Sequence, residues 1–228
     1  MQDASIGGRT SRPLLRIARV PPEDAGALLD LYVDIFHDRE PLTRHLGSSR
    51  ARMRGLARSL YLDPEMPSYG RRQWWEARDR DAAGPRIGLL VGEDLVADAM
   101  TDPPPGMTPE ERKAFPSMMA LFEAIRQPLA DRTLREGECF RVAAVGVVAG
   151  HEGRGVAARL LEAALERARD MGFRHAMAEC TGPASRRCHE RCGFRSLLAV
   201  EYASFEYEGQ RPFANLPGIC HLMWADLA

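Results

Sequence analysis

Residues 149–157, AGHEGRGVA, have the residue types and spacing of a turn that binds an anion. Three glycines, Gly150, Gly153 and Gly155, precede a segment with the apolar spacing of a helix. The first N–H groups of a helix lack partners within it, and together with the helix dipole they attract a negative group. Glycines also let the backbone approach that group closely. The stretch therefore predicts a binding site for a phosphate or a diphosphate.

A dinucleotide site is one interpretation of this turn. Residues 153–158 fit the fingerprint G-x-G-x-x-G/A, and Glu179 ends the next predicted strand, where an acid that binds a ribose is expected. Two features disagree with it. Residues 149–152 separate the preceding strand from Gly153, and the chain after Glu179 is too short for several further parallel strand–helix units. A glycine turn without a ligand is another alternative, so the glycines alone do not decide.

The elements that must position the turn follow from apolar periodicity and turn residues. Residues 140–148 form a continuously apolar strand, and 157–170 have the clearest helical stripe in the chain. Two apolar runs, 87–91 and 95–101, flank Gly92-Glu93-Asp94 and predict an antiparallel hairpin upstream of the turn. Further strands are predicted at 14–20, 175–180, 194–207 and 219–225, further helices at 21–40, 44–60, 115–129 and 184–192, and a proline-rich loop at 102–111.

Composition limits the partners of the chain. Its 228 residues carry a formal net charge of -1, which gives no overall field for nucleic acid, so we expect no such partner. Residues 1–12 lack the apolar core of a signal peptide, and no apolar run is long enough to cross a bilayer. We expect a cytoplasmic protein without a membrane partner. We also expect a flexible tail at 1–13 and one domain at 14–228, acting as a monomer or homodimer.

Cysteine usage gives no sign of a metal or a disulfide framework. The chain has five cysteines, an odd number in a chain of this size, which predicts reduced thiols. Cys188, His189 and Cys192 have the spacing of one helical face and match no common zinc motif. We therefore expect no metal.

The region after the apolar strand resembles the signature of the GNAT superfamily of N-acetyltransferases, in which a strand ending in V-x-P-x-Y is followed by (Q/R)-x-x-G-x-(G/A) and a helix. Here the strand end reads VVAGH, without the proline and tyrosine, and Glu152 stands where Gln or Arg is usual. The glycine of the motif is Gly155. Downstream, 190–194, ERCGF, resembles the E-K-x-G-F ending of the next helix.

Within that superfamily the chain resembles the insect-type arylalkylamine N-acetyltransferases and their microbial relatives. Residues 36–42, FHDREPL, resemble F-x-x-(D)-E-P-L; 155–160, GVAARL, resemble G-I-A-x-R-L; and 180–185, CTGPAS, resemble C-S-S-x-x-S. The resemblance implies an α/β (α+β) GNAT fold, in which helices flank a central mixed, mostly antiparallel sheet. It also implies acetyl-CoA as co-substrate, bound by the irregular strand, by the turn and by Ser185. The strand and turn residues are Val145, Gly146, Val147, Glu152, Gly153, Arg154, Gly155, Val156 and Ala157.

The chemistry of amide formation sets the roles to be filled. A primary amine with a pKa of about 10 is mostly protonated at neutral pH, so its proton must be removed. Attack on the thioester builds negative charge on the carbonyl oxygen, which backbone N–H groups can stabilise. The resemblance assigns the base to Glu40, proton transfer and substrate contact to Thr181 and Ser185, and protonation of the thiolate to the position of His189.

Each assignment has a structural alternative. Glu40 is otherwise a surface acid at a helix end, the two hydroxyls are helix caps, and His189 is an exposed helical histidine. Glu152 places a carboxylate near the expected diphosphate, for which Arg154 or Arg159 could compensate.

The acceptor is expected to be a small-molecule amine. An aromatic and methionine-rich set could line a pocket for an arylalkylamine, and core packing explains the same residues: Tyr69, Trp74, Trp75, Phe115, Met118, Met119 and Phe122. Alternatives are another amine class (a polyamine, an aminoglycoside or a protein amine), a nicotinamide-dependent oxidoreductase, and a non-catalytic regulator that binds acyl-CoA.

Overall fold

The computed structural model describes residues 14–64, 72–97, 103 and 107–227. The strands in these ranges are β1 (Leu15–Val20), β2 (Gln73–Asp79), β3 (Arg86–Asp94), β4 (Cys139–Val147), β5 (His175–Cys180), β6 (Arg195–Glu201) and β7 (Ile219–Asp226). The helices are α1 (Leu29–Phe36), which follows a 3-10 helix at Pro22–Leu28, α2 (Pro41–Leu46), α3 (Arg50–Tyr61), α4 (Pro109–Arg126), α5 (Val156–Asp170) and α6 (Pro183–Arg191).

The strands form one mixed sheet of order β1-β2-β3-β4-β5-β7-β6. Every neighbouring pair is antiparallel except β4 and β5, which are parallel. This mixed, mostly antiparallel sheet confirms the fold class. The parallel pair is short, because only Cys139–Arg141 pair with His175–Met177. Beyond these residues β4 continues along β3 and β5 continues along β7, so the two strands diverge and leave an opening between their carboxyl ends.

A bulge in β4 shapes one side of the opening. The register with β3 moves from Gly92↔Val142 to Val91↔Ala144, so Ala143 is an extra residue in β4. Bulges bend a strand and increase its twist, which turns the end of β4 away from β5. After the bulge, 145–147 pair with β3 along one edge, and their other edge faces the opening.

Helices cover the two faces of the sheet. Val156 and Leu160 of α5 pack against Gly88, and α5 supplies most of the helical side chains of one core cluster. On the other face, α1 packs against β4 so closely that a side chain at Gly146 would overlap Ile35. Strand residues alternate between the two cores, since Trp74 faces α1 and Trp75 faces α5.

Several predicted elements are confirmed with nearly the predicted bounds, including β5 and α5. The predicted hairpin around Gly92-Glu93-Asp94 is wrong, because these residues lie inside β3 and the hairpin partner of β3 is β2. Glu93 and Asp94 resemble turn residues in sequence, but both are buried in the sheet. Their carboxylates accept hydrogen bonds there, that of Glu93 from Arg72 and Arg141 and that of Asp94 from the N–H of Gly137.

Two helix boundaries also differ from prediction. The predicted helix at 44–60 is divided into α2 and α3, because Gly47 adopts a left-handed conformation (φ +65°) and Ser49 caps a new helix. The predicted loop at 102–111 already contains the start of α4, where Thr108 and Glu111 form a reciprocal capping box. The predicted tail at 1–13, residues 98–101 of the predicted hairpin and Tyr69 lie outside the described residues.

Candidate active site

The glycine turn and the start of α5 form a concave array of backbone donors at the carboxyl end of β4. Gly150, Gly153 and Gly155 all have φ between +75° and +83°, and space is open around each of them. Gly155 is the N-cap of α5, and no side chain caps this helix end. The predicted residues Gly153, Arg154, Gly155, Val156 and Ala157 therefore lie together where the first N–H groups of α5 remain available to an anion.

Glu152 lies in the same turn and has unexpected partners. Its Oε2 accepts a hydrogen bond from the N–H of Gly150 at 2.7 Å, and its Oε1 lies 2.7 Å from Nη2 of Arg39. The backbone N–H groups of Glu152 itself and of Gly150, together with the Arg39 cation, lower the pKa of the Glu152 carboxyl.

The two arginines expected to compensate for Glu152 have other partners. Arg154 pairs with Asp79 at 2.7 Å, and Arg159 donates to the carbonyl of Leu15 at 3.0 Å. The compensating cation is therefore Arg39, from the connection between α1 and α2.

The connection between α1 and α2 bridges the opening. Phe36 lies beside Gly146 on β4, and Nη1 of Arg39 donates to the carbonyl of Val147 at 2.8 Å. On the far side, Pro41 packs against Gly182, where an added methyl group would lie 3.8 Å from the proline Cγ. Glu40 stands between these two contacts, which places it at the opening between the ends of β4 and β5.

The Glu40 side chain caps α2. Its Oε1 accepts from the N–H of Leu42 at 3.1 Å and its Oε2 from the N–H of Thr43 at 2.5 Å. Capping fixes the carboxylate in one orientation at a half-buried position. A carboxylate oxygen can accept two hydrogen bonds, so each oxygen keeps acceptor capacity for a further donor. The structural alternative for Glu40, an acid at a helix end, is thus present in the structure, and its carboxylate keeps acceptor capacity beyond the cap.

Thr181 and Ser185 flank the start of α6. Neither caps that helix, because its N-cap is Gly182 and no side chain bonds to its first N–H groups. Ser185 donates from Oγ to Sγ of Cys180 at 3.3 Å. The buried Tyr202, which sequence reasoning missed, donates its hydroxyl to the carbonyl of Thr181 at 2.9 Å. Helix capping therefore does not account for these two hydroxyls.

His189 is neither exposed nor suited to act as an acid at neutral pH. Only 1% of the residue is accessible, and its Nδ1 contacts the carbonyl of Ser185 at 2.9 Å and Sγ of Cys180 at 3.3 Å. Burial lowers the pKa of His189 to about 4, so the imidazole is neutral near pH 7. Its environment is that of a core residue packed edge-on against Phe194.

The aromatic set predicted as a pocket does not form one cluster. Trp75 packs on the α5 side of the sheet, and Met118 and Phe122 pack against a different core beside α4. Trp74 belongs instead to an aromatic group that packs with α1 and was not predicted from the sequence. Its rings are linked in a chain with centroids 4.8–5.9 Å apart: Phe36, Tyr32, Tyr61 and Trp74.

A charged ladder crosses the sheet beside this aromatic group. The buried Glu93 pairs with Arg72 and Arg141, and Glu179, whose side chain is 4% exposed, pairs with Arg141 and Arg126. Coulombic attraction from Arg141 and Arg126 outweighs the effect of burial and lowers the pKa of Glu179. Glu179, the expected ribose-binding acid of a dinucleotide site, is therefore engaged in holding β4 to β5 and α4.

Within residues 14–64, 72–97, 103 and 107–227, no group of three or more His, Cys, Asp or Glu side chains is arranged to hold a metal ion. In the same part of the chain, no helix has the length and apolar character needed to span a membrane.

Several solved structures share the fold of this chain. The fold is similar to that of an arylalkylamine N-acetyltransferase from Aedes aegypti (15% identity, TM-score 0.68, covering 94% of this chain and 99% of the other). It is also similar to a Drosophila melanogaster polyamine N-acetyltransferase that forms N-acetylagmatine (17%, 0.67, 93% and 99%) and to the C-terminal condensation domain of Ebony in complex with beta-alanyl-dopamine (16%, 0.71, 94% and 99%).

A family model adds evidence from the sequence itself. The model described as the acetyltransferase (GNAT) family matches residues 51–194, which include the bulged strand, the glycine turn and the start of α6. The α1–α2 connection with Arg39 and Glu40 precedes the matched residues, so its place at the opening comes from the structure. This match, over more than half of the chain and on the fold described above, shows that the protein is an acetyltransferase of the GNAT family.

Proposed function

We propose that this protein transfers the acetyl group of acetyl-CoA to a primary amine, by direct attack in a ternary complex with Glu40 as the base. One observation carries the proposal. The α1–α2 connection places the Glu40 carboxylate at the opening between β4 and β5, and the same connection contacts the glycine turn through Arg39. An anion site and a candidate base thus flank one gap in the sheet.

The residues at the turn fit the diphosphate of acetyl-CoA. The open space around Gly150, Gly153 and Gly155 leaves room for phosphate oxygens near backbone N–H groups, and the uncapped end of α5 adds its dipole. The free edge of 145–147 is suited to hydrogen bonding with an extended, amide-containing arm along the opening. When bound, acetyl-CoA supplies an activated acetyl group as a thioester.

The protein's own groups then have distinct tasks. Glu40 accepts the amine proton, directly or through water, from a carboxylate whose orientation is fixed by the N–H groups of Leu42 and Thr43. The outward N–H groups of 145–147 stabilise negative charge that develops near β4. The hydroxyls of Thr181 and Ser185, at the opposite wall, contact the reacting groups. His189 is not the general acid, because the imidazolium form that would donate a proton is scarce near pH 7 when burial lowers the pKa of His189 to about 4.

Direct transfer is favoured over an acetylated cysteine. Cys180 is the last residue of β5, next to the opening, and its side chain is fully buried. Burial raises the pKa of Cys180 to about 12, so its nucleophilic thiolate form is scarce at neutral pH. The attacking nucleophile is then the amine itself.

The surroundings of Glu40 favour an amine with an apolar or aromatic remainder. A small cavity of about 70 Å³ between α1, α2 and α3 is lined mainly by apolar side chains, and the N–H of one of its lining residues, Thr43, donates to Glu40. Tyr32 lies on its wall and belongs to the aromatic chain that ends at Trp74. By contrast, a polyamine needs a carboxylate for its far cation, and the buried glutamates of the ladder are already paired with arginines. We therefore propose arylalkylamines as acceptors.

An amine panel tests this proposal. Thiol release from acetyl-CoA is followed with a chromogenic thiol reagent in the presence of tryptamine, dopamine, phenethylamine, spermidine, agmatine and an aminoglycoside. We expect amine-dependent release, with the highest kcat/KM for the ring-bearing amines. A preference for spermidine or agmatine would overturn arylalkylamines as the acceptor class but would leave the proposed acetyl transfer to an amine in place. If acetyl-CoA binds by calorimetry but no amine, small or peptidic, promotes release, the chain is a non-catalytic binder.

A further inference from the structure

The turn that we assign to the diphosphate already holds an anionic group of the protein. The carboxylate of Glu152 folds back on its own loop, where Oε2 accepts from the N–H of Gly150 at 2.7 Å. The N–H of Glu152 is the largest cause of the lowered pKa of this carboxyl. The N–H of Gly150 in the turn is therefore directed at a carboxylate, which lies where a diphosphate would compete for this donor.

A single guanidinium connects this carboxylate to the sheet. Arg39 places Nη2 2.7 Å from Oε1 of Glu152 and donates from Nη1 to the carbonyl of Val147 at 2.8 Å. Both side chains of the ion pair are 41–49% exposed, so a solute can reach them. The hydrogen bond from Nη1 to Val147 keeps the guanidinium at the junction of β4 and the turn, even when Nη2 exchanges Glu152 for another partner.

The other arginines beside the turn are held by stable partners on the sheet. Arg154 is paired with Asp79 at the end of β2, and Arg159 donates to Leu15 in β1. Arg39 differs from both because its anionic partner belongs to the turn itself and competes with the incoming ligand. A diphosphate that displaces the Glu152 carboxylate therefore leaves Nη2 of Arg39 available for a new anionic partner.

We propose that Arg39 is a residue that binds the diphosphate of acetyl-CoA, and that Glu152 is an internal anion which exchanges with this diphosphate. The inference rests on the proposed function, since it assigns a new contact in the same cofactor site. A guanidinium matches a phosphate with two N–H donors, which makes Arg39 suited to the exchange. Because Arg39 precedes Glu40 in the chain, the exchange also links cofactor binding to the segment that carries the base.

Two single variants give opposite results if this is correct. Glu152→Gln removes the competing charge and retains most of the side-chain volume, so the Kd for acetyl-CoA falls about three- to tenfold. Arg39→Met removes the phosphate contact and leaves the Glu152 carboxylate unpaired, so the Kd rises at least about tenfold. Calorimetric titration with acetyl-CoA measures both. Matched controls with the same charge changes are Asp38→Asn and Arg44→Met, which lie in the same segment and which we expect to change Kd less than twofold.

The decisive measurement is Arg39→Met in the Glu152→Gln background. If Arg39 only neutralises Glu152, the second substitution has no effect once that carboxylate is gone. If Arg39 binds the diphosphate, the double variant still binds acetyl-CoA at least about fivefold more weakly than Glu152→Gln alone. Equal Kd values for the double variant and Glu152→Gln would overturn the proposal.

A truncated probe locates the effect on the diphosphate. S-acetylpantetheine carries the thioester and the amide arm without phosphate, and its Kd is expected to be unchanged within twofold by both substitutions. Changes of the same size with this probe would mean that Arg39 acts by positioning the opening, which contradicts the assigned contact. Failure of the unaltered protein to bind acetyl-CoA at all would instead refute the proposed function, so the two failures are distinguishable.

Discussion

Replacement of Glu40 by asparagine separates its two roles, because asparagine caps a helix but cannot act as a base. Glu40 accepts from the N–H groups of Leu42 and Thr43 at the start of α2. Asparagine is among the best N-cap residues, so it retains one of these bonds, and the loss is the interaction of one charge with the helix end. We expect Glu40→Asn to lower the free energy of unfolding by no more than about 1 kcal/mol.

The expected kinetic effect of Glu40→Asn is far larger. Removal of a positioned general base costs about 10²- to 10⁴-fold in rate, which corresponds to about 3–5 kcal/mol of activation free energy. Without the base, the reaction depends on amine that is already deprotonated in solution. The kcat/KM of the variant should therefore rise about tenfold per pH unit as the pH approaches the amine pKa of about 10. The Kd for acetyl-CoA is expected to remain within about twofold of the unaltered value.

The assay combines thiol release at saturating amine with urea unfolding followed by circular dichroism. Ser49→Ala is the matched control, because the Ser49 side chain caps the next helix by accepting from the backbone N–H of Arg52 and bears no carboxylate. It should lose about 1 kcal/mol of stability and retain its kcat. If Glu40→Asn retains the kcat of the unaltered protein, Glu40 is a cap alone and the assignment of the base is refuted.

Three further predictions concern stability and use urea unfolding. The pKa of His189 is lowered from 6.5 to about 4 in the folded protein, so the unfolded chain binds more protons in this range and stability is lost as pH falls below 6.5. Between pH 7 and pH 5 the protein should lose about 2 kcal/mol more than His189→Gln does; equal losses would contradict the buried neutral imidazole. Gly146→Ala should lower the free energy of unfolding by about 1–3 kcal/mol and reduce kcat, because the new methyl group overlaps Ile35 of α1. Gly55→Ala, at an exposed position in the middle of α3, should instead raise the free energy of unfolding by about 0.5–1 kcal/mol. Arg141→Met should lower the free energy of unfolding by about 3–5 kcal/mol, because Glu93 and Glu179 each lose a buried partner. Arg195→Met, which breaks an exposed ion pair with Asp226, should lower it by less than about 1 kcal/mol. Similar losses for the two variants would show that the ladder is not a buried network.

The elements that sequence predicted best are those whose signals are local. The stripe of α5 and its termination at Gly172 require only neighbours three or four residues apart, and β5 is a short strand centred on the apolar segment 176–178. The end of β3 is mispredicted because Gly92 and Asp94 are turn-forming residue types. The place of Glu93 and Asp94 in the strand depends on Arg72, Arg141 and the N–H of Gly137, which are distant in sequence. Local propensity carries no information about such partners.

The candidate site follows the same division. The turn with its glycines was predictable because positive φ and an uncapped helix end are encoded within a few residues. The surroundings of Glu152 were not, because its cation comes from Arg39, and the companion bond from Arg39 to Val147 spans 108 residues of sequence. The sequence indicated either an acid for the thiolate or an exposed helical histidine at His189, yet its side chain points to Cys180 and Phe194 in the core.

The direction of the Arg39 side chain has a consequence for its neighbour Glu40. A guanidinium paired with the base would compete with the amine proton for the carboxylate and weaken it as an acceptor. Arg39 is instead turned toward Val147 and Glu152, and Glu40 is held by the neutral N–H groups of α2. The two adjacent residues thereby have different proposed ligands: Arg39 faces the cofactor and Glu40 faces the amine. Neighbouring charges that would neutralise each other in a flexible loop stay separate here because β4 and α2 hold them apart.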